Sequence, residues 1–103
     1  LAEAGREASA WFAHRGRPLE SQFDNIAHHR SPGGLALLDD GLAWLECTTE
    51  VAHDSGDHVI IVGRVNWADF READDDPLLY YRSHYGTIVR QDESEKTVYR
   101  GEA

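Results

Sequence analysis

Gly56, Asp57 and His58 stand in a row between two long apolar-rich segments, and each residue type offers something to a flat polar ligand. A glycine lets a ring or a phosphate come close to the backbone. An aspartate holds a turn and can orient a neighbouring imidazole by a hydrogen bond, leaving that imidazole free to donate to a bound group. The triplet also has a plainer reading. Gly-Asp closes hairpins in many proteins, and the histidine after it then only begins a strand.

Tyr80, Tyr81, Arg82 and Tyr85 form a second group. Aromatic side chains can wall a flat cofactor and an arginine can pair with a phosphate. Tyr80 and Tyr81 read more simply as packing at a barrel end or a subunit contact, whereas Arg82 and Tyr85 remain open to both readings. His28, His29 and Arg30 are a small basic cluster in an acidic chain; they can meet a pyrophosphate, but a solvated loop is the commoner origin of such a cluster. His53, Asp57 and His58 surround a turn, and no Cys or His pair has a recognised zinc spacing, so no metal site is expected. Cys47 falls on a face expected to be buried and has no activating partner in the sequence, which suits a small core residue. Trp11, Trp44 and Trp67 read as packing residues, and Asp74, Asp75 and Asp76 as a solvated loop. No glycine-rich dinucleotide fingerprint is present, which argues against a Rossmann domain.

The elements that must position these residues follow from periodicity. Leu1, Ala4, Ala8, Trp11 and Phe12 recur at helical spacing, which predicts a helix from Leu1 to about Arg15, ended by Gly16 and Pro18. No capping residue precedes it, so the chain reads as entering in the middle of a helix, with sequence missing upstream. Residues 19–34 read as irregular, closing on the turn chemistry of Ser31-Pro32-Gly33-Gly34. Leu35 to Leu38 is a candidate short strand, and Asp39-Asp40-Gly41 a tight turn. From Leu42 to His53 the residues alternate, placing Ala43, Leu45, Cys47, Thr49 and Val51 on one buried face. His58 to about Phe70 is the partner strand, with Val59, Ile61, Gly63, Val65 and Trp67 on one side; Gly63 inside it suggests a bulge or a close approach. Leu78 to Tyr81 is an apolar run, Tyr85-Gly86 a turn, and Thr87 to Val89 a last short strand. The expected fold is mainly β and antiparallel, a β-barrel type with a flanking helix, over residues 1–90. Residues 91–103 read as a polar tail. A lone hairpin is marginal in water, so further strands or a second copy must cover it.

Composition narrows the partners. The chain has 103 residues, a hydrophobic fraction of 41% and a formal net charge of -9. That balance suits one globular unit and disfavours nucleic acid and anionic membrane surfaces. Its single cysteine rules out an intrachain disulfide and fits a cytoplasmic location. No apolar run approaches the roughly 20 residues of a membrane helix.

The stretch Leu37-Leu38-Asp39-Asp40-Gly41-Leu42-Ala43-Trp44-Leu45-Glu46-Cys47 resembles a recurring segment of flavin reductases from two-component monooxygenases. His53-Asp54-Ser55-Gly56-Asp57-His58 with Val59 to Val65 is similar to that family's next strand, and Pro77-Leu78-Leu79-Tyr80-Tyr81-Arg82 with Tyr85-Gly86 to its closing motif. Phe12-Ala13 and Phe23 match an upstream helix and loop. The resemblance implies the C-terminal part of an FMN-binding split barrel that forms a homodimer. It implies a flavin reductase that uses NADH or NADPH to reduce FMN or FAD, the reduced flavin diffusing to a separate oxygenase. It places Gly56, Asp57 and His58 beside the nicotinamide, with His58 as the orienting residue and Arg82 and Tyr85 as secondary contacts. The alternative is a non-enzymatic flavin-binding module on the same barrel.

Overall fold

The computed structural model describes residues 1–72 and 74–91. All but the first residue of the expected polar tail lies outside the described residues. Among the described residues there are three antiparallel two-stranded sheets and one α-helix: α1 (Arg6–Ala13), β1 (His28–Arg30) with β2 (Ala36–Leu38), β3 (Ala43–Ser55) with β4 (His58–Phe70), and β5 (Leu79–Tyr81) with β6 (His84–Gly86). No helix among the described residues is long and apolar enough to cross a membrane.

The helix is shorter than its periodicity predicts. Ala8 is buried and Trp11 and Phe12 half-buried, as the spacing requires. Trp11 Nε1 donates to the Gln22 carbonyl at 2.7 Å, and the Phe12 and Phe23 rings lie 5.2 Å apart. His14 turns extended and Gly16 takes a φ of 80°. The first two residues, however, are not helical. Ala2 N–H donates to the Asp40 carbonyl at 2.7 Å, and the Leu1 carbonyl accepts Leu78 N–H at 3.0 Å. Glu3 to Gly5 then form one 3-10 turn that feeds α1. Backbone pairing with distant segments overrides the side-chain spacing here, and the chain does not enter in the middle of a helix.

Strand β1 lies inside the stretch read as irregular. Its His-His-Arg sequence has no apolar alternation, and the pairing comes from β2, with His28 opposite Leu38 and Arg30 opposite Ala36. The later hairpin is also displaced. The turn falls on Arg82 and Ser83, both left-handed (φ 50° and 66°), rather than on Tyr85-Gly86, and Thr87 to Val89 form no strand. Two left-handed residues in a two-residue loop match the twist of an antiparallel pair, a task usually given to Asn or Gly. The register is set by Tyr80 opposite Tyr85, whose rings meet edge-on at 5.2 Å.

The long hairpin β3–β4 follows the sequence most closely, with boundaries within two residues of those expected. At the usual strand rise it is about 40 Å long. Its faces are not those of simple alternation. Thr49 pairs with Gly63 but Val51 with Val62, so Glu50 is an extra residue; Glu46 pairs with Trp67 but Cys47 with Val65, so Asn66 is another. Each bulge inverts the alternation beyond it. Val51 therefore leaves the Leu45–Cys47 face and joins Val62, and Trp67 leaves the Val65 face and joins Trp44 and Glu46. Gly63 is not itself the bulge. A Cβ there would stand 3.0 Å from Cys47 Cβ, which is the close approach the glycine allows.

Burial also differs from expectation. Trp44 and Glu46 are the half-buried residues of β3, whereas Leu45 is 63% exposed and Cys47 is exposed. Trp44 and Glu46 are covered because the β1–β2 hairpin lies against them: Trp44 Nε1 donates to the Leu38 carbonyl at 2.8 Å and its ring meets His29 edge-on at 5.2 Å. The face of Leu45, Cys47, Ile61 and Val65 has no such cover among the described residues. The buried apolar residues among those described are Ala2, Ala8 and Leu37.

Candidate functional site

The tip of the long hairpin carries the sequence-predicted triplet. Ser55 pairs with His58, so Gly56 and Asp57 are the two loop residues. Gly56 has a φ of 65° while Asp57 is not left-handed, the pattern of a turn with glycine at its first central position. A Cβ on Gly56 would meet nothing within 4 Å, so the backbone there is open to a flat group. His58 Nδ1 lies 2.6 Å from Asp57 Oδ1, with the two side chains 79% and 93% exposed. An ionised carboxylate only accepts, so Nδ1 carries the proton and Nε2 is left for a ligand. His53, Ser55 and His58 share a face of the tip, as their cross-strand pairs require.

Arg82 and Tyr85 lie elsewhere. The Arg82 guanidinium sits over the Tyr81 ring at 5.5 Å. Tyr85 Oη donates to Ser9 Oγ at 3.0 Å, and Arg6 stands over its ring at 5.3 Å. Tyr85 thus ties the β5–β6 hairpin to α1, beside a cleft of about 220 Å3 lined by Glu3, Arg6, Leu78, Tyr85, Gly86 and Thr87. No hydrogen bond, ion pair or ring contact among the described residues joins this corner to the Gly56–His58 tip. The tip is at the far end of β3–β4 from Phe70, which leads back to the corner. Replacing Tyr85 by Phe is expected to lower stability by about 1 kcal/mol, the usual worth of one such bond. Thermal unfolding of the complete protein checks this.

The remaining polar residues are engaged in structure. His28 Nδ1 donates to the Ile26 carbonyl and His29 Nδ1 to Asp39, each at 2.7 Å, while Arg30 reaches the Gly34 carbonyl at 3.4 Å. The basic cluster is therefore a strand tied to its own turns rather than a free loop. Arg90 pairs with Asp76 at 2.5 Å and with Asp74 at 3.2 Å, and Arg71 with Asp75 at 2.9 Å. The hydrogen bond to Asp76, then that to Asp74, holds the Arg90 guanidinium above its ordinary pKa.

One pairing has no sequence signal. Ser31 is buried, and its Oγ donates to the Glu46 carboxylate and accepts Leu35 N–H at 3.0 Å. Gly33 N–H donates to Glu46 Oε1 at 3.1 Å. The Ser-Pro-Gly-Gly turn is legible, but its carboxylate partner is fifteen residues away.

With this geometry in hand, similarity to other proteins is informative. The sequence model of the flavin reductase like domain matches residues 1–89. A flavin-dependent monooxygenase reductase subunit of Rhodococcus jostii (strain RHA1) is 37% identical over 99 residues, 95% of this chain and 46% of that protein. An FMN reductase (NADH) of Agrobacterium fabrum (strain C58 / ATCC 33970) is 39% identical over 83 residues, 81% of this chain and 44% of that protein. Nitrilotriacetate monooxygenase component B from Mycobacterium thermoresistibile superposes with a TM-score of 0.76 at 33% identity, covering 86% of this chain and 49% of that one. The chain spans between about a quarter and a half of the length of the curated relatives it matches.

Proposed function

Because the chain belongs to the flavin reductase like domain family, as the C-terminal part of a split barrel, we propose that the protein it forms part of reduces FMN or FAD with NADH or NADPH. The reduced flavin then serves a separate monooxygenase. The observation that carries this reading is the match over residues 1–89, joined to a relative named as an NADH-dependent FMN reductase. The chemistry belongs to the two bound rings: a hydride leaves the nicotinamide and, with one proton from solvent, reduces the flavin.

For that step the protein need only hold two flat rings in contact, with reacting atoms about 3–3.5 Å apart, and tune their surroundings. Gly56 admits a ring against the backbone. Asp57 fixes the His58 imidazole through Nδ1, and His58 Nε2 orients the nicotinamide. Arg82 is a secondary, phosphate-directed contact, and Tyr85 positions the turn that carries it. The tip fits one wall of such a site. A homodimer and a cytoplasmic location complete the proposal, the second because free NAD(P)H is held there and the lone cysteine suits a reducing compartment.

The test is NADH and NADPH oxidation by the complete protein, with and without added FMN or FAD. Flavin-dependent turnover is the expected result. A folded protein that retains flavin and oxidises neither nicotinamide would instead be the binding module.

A further inference from the structure

The cleft between α1 and the β5–β6 hairpin is lined by two charged residues of opposite sign, Glu3 and Arg6, together with Leu78, Tyr85, Gly86 and Thr87. Glu3 and Arg6 are three residues apart where the 3-10 turn feeds α1, a spacing at which side chains are neighbours. They form no ion pair with each other, and among the described residues neither has an ionic partner elsewhere. The cause lies in Tyr85. Its hydroxyl is fixed on Ser9, and the Arg6 guanidinium lies over its ring at 5.3 Å. A ring face orients a guanidinium and leaves its N–H edge free to bond. The acids that share an adjoining cleft with Glu3 are already answered, Asp75 by Arg71 and Asp76 by Arg90. Glu3 and Arg6 therefore face one cavity, close together and unneutralised.

We propose that this cleft binds a small zwitterion of the neutral α-amino acid class, its carboxylate on Arg6 and its ammonium on Glu3. The inference goes beyond the reductase reading and does not depend on it.

Charge selects the class. A phosphate or a simple carboxylate would bond to Arg6 but meet the Glu3 carboxylate. An amine would bond to Glu3 but meet Arg6. A like charge left in a site is what rejects the wrong ligand, and a molecule carrying both charges a few bonds apart satisfies both walls. The guanidinium edge suits a carboxylate in particular, because it can donate two parallel hydrogen bonds to it.

Size points the same way. The cleft holds about 220 Å3, the liquid volume of about seven waters. Sites for drug-sized ligands run from roughly 300 to 1,000 Å3, so a flavin or a dinucleotide does not fit here. The half-buried Leu78 offers apolar surface to a short branched side chain, and Thr87 adds a hydroxyl. At Gly86 a Cβ would meet nothing within 4 Å, so the backbone there leaves space open.

The test is thermal unfolding of the complete protein with L-valine as the probe. Oxidised nicotinamide dinucleotide and FMN are present at saturation throughout, so that valine cannot act at their sites. At ten times its dissociation constant, valine is expected to raise Tm by about 3 °C. Isobutylamine and 3-methylbutanoate, which each lack one of its two charges, and inorganic phosphate should leave Tm unchanged at the same concentration. Glu3→Gln and Arg6→Gln should each weaken valine binding at least about tenfold, the worth of one hydrogen bond to a charged group. Should Arg6→Gln fail to fold for want of its contact with Tyr85, Glu3→Gln decides alone, because Glu3 touches no ring. No shift with valine overturns the proposal, and so does a shift that Glu3→Gln leaves intact. Stabilisation by phosphate or 3-methylbutanoate that grows in Glu3→Gln would make the cleft an anion site and overturns it as well.

Discussion

Replacing His58 by alanine in the complete protein is expected to lower kcat/KM for the nicotinamide by about tenfold to a hundredfold, with the fold unaffected. The size follows from the role. In the proposed role His58 neither accepts the hydride nor moves a proton but holds one ring against another, and loss of orientation of that kind costs up to about a hundredfold. The fold is indifferent because the side chain is 79% exposed and its one hydrogen bond is to its neighbour Asp57. Surface substitutions of that kind stay within about 0.5 kcal/mol. Asp57→Asn tests the tether separately. The amide cannot hold Nδ1 as firmly as a carboxylate does, so a smaller loss of the same kind is expected. Steady-state kinetics with flavin saturating and nicotinamide varied reads both variants. If His58→Ala changes neither kcat nor KM, the tip is only a hairpin turn.

How far these features can be read from sequence depends on whether their cause is local. The β3–β4 hairpin is legible because its period of two runs over both strands and Gly56-Asp57 supplies the turn. Face assignment is legible only as far as the first bulge on each strand. Nothing about Glu50 or Asn66 as residue types announces that a residue will be left unpaired, and Val51 and Trp67 are misassigned as a result. Strand β1 is hidden because His28, His29 and Arg30 have no apolar pattern and take their extended form from β2. The Arg82-Ser83 turn is hidden because left-handed backbone is normally signalled by Gly or Asn. The expected burial of Cys47 and Leu45 reads the alternation correctly but presumes a cover that the described residues do not provide. The candidate site shows the same division. The triplet and the Asp57–His58 bond are contiguous in sequence and legible. The triplet sits at the tip of the long hairpin and Arg82 and Tyr85 on the separate β5–β6 hairpin, a placement that no motif spacing reports.

Replacing Glu46 by alanine is expected to cost about 2–4 kcal/mol of stability. Two donors converge on its carboxylate, Ser31 Oγ and Gly33 N–H, and hydrogen bonds to a charged group are worth about 1.5–3 kcal/mol each. Ser31 is only 6% exposed, so removing its acceptor leaves a hydroxyl that water cannot easily reach. The same turn holds β1 to β2, and that hairpin holds Trp44 and, through it, the root of the long hairpin. Loosening it should therefore reach further than the lost bonds. Glu46→Gln separates geometry from charge: the amide oxygen still accepts, so about half the loss should return. Gly33→Ala approaches the same contact from the other side, since its Cβ would stand 2.6 Å from the Glu46 carboxylate. Because both changes break one contact, the double variant Glu46→Ala, Gly33→Ala should lose less than the two single losses added together. Thermal or urea unfolding of the complete protein measures all four. Strict additivity would mean that Glu46 and the turn act independently and that the β1–β2 hairpin is held to β3 by Trp44 alone.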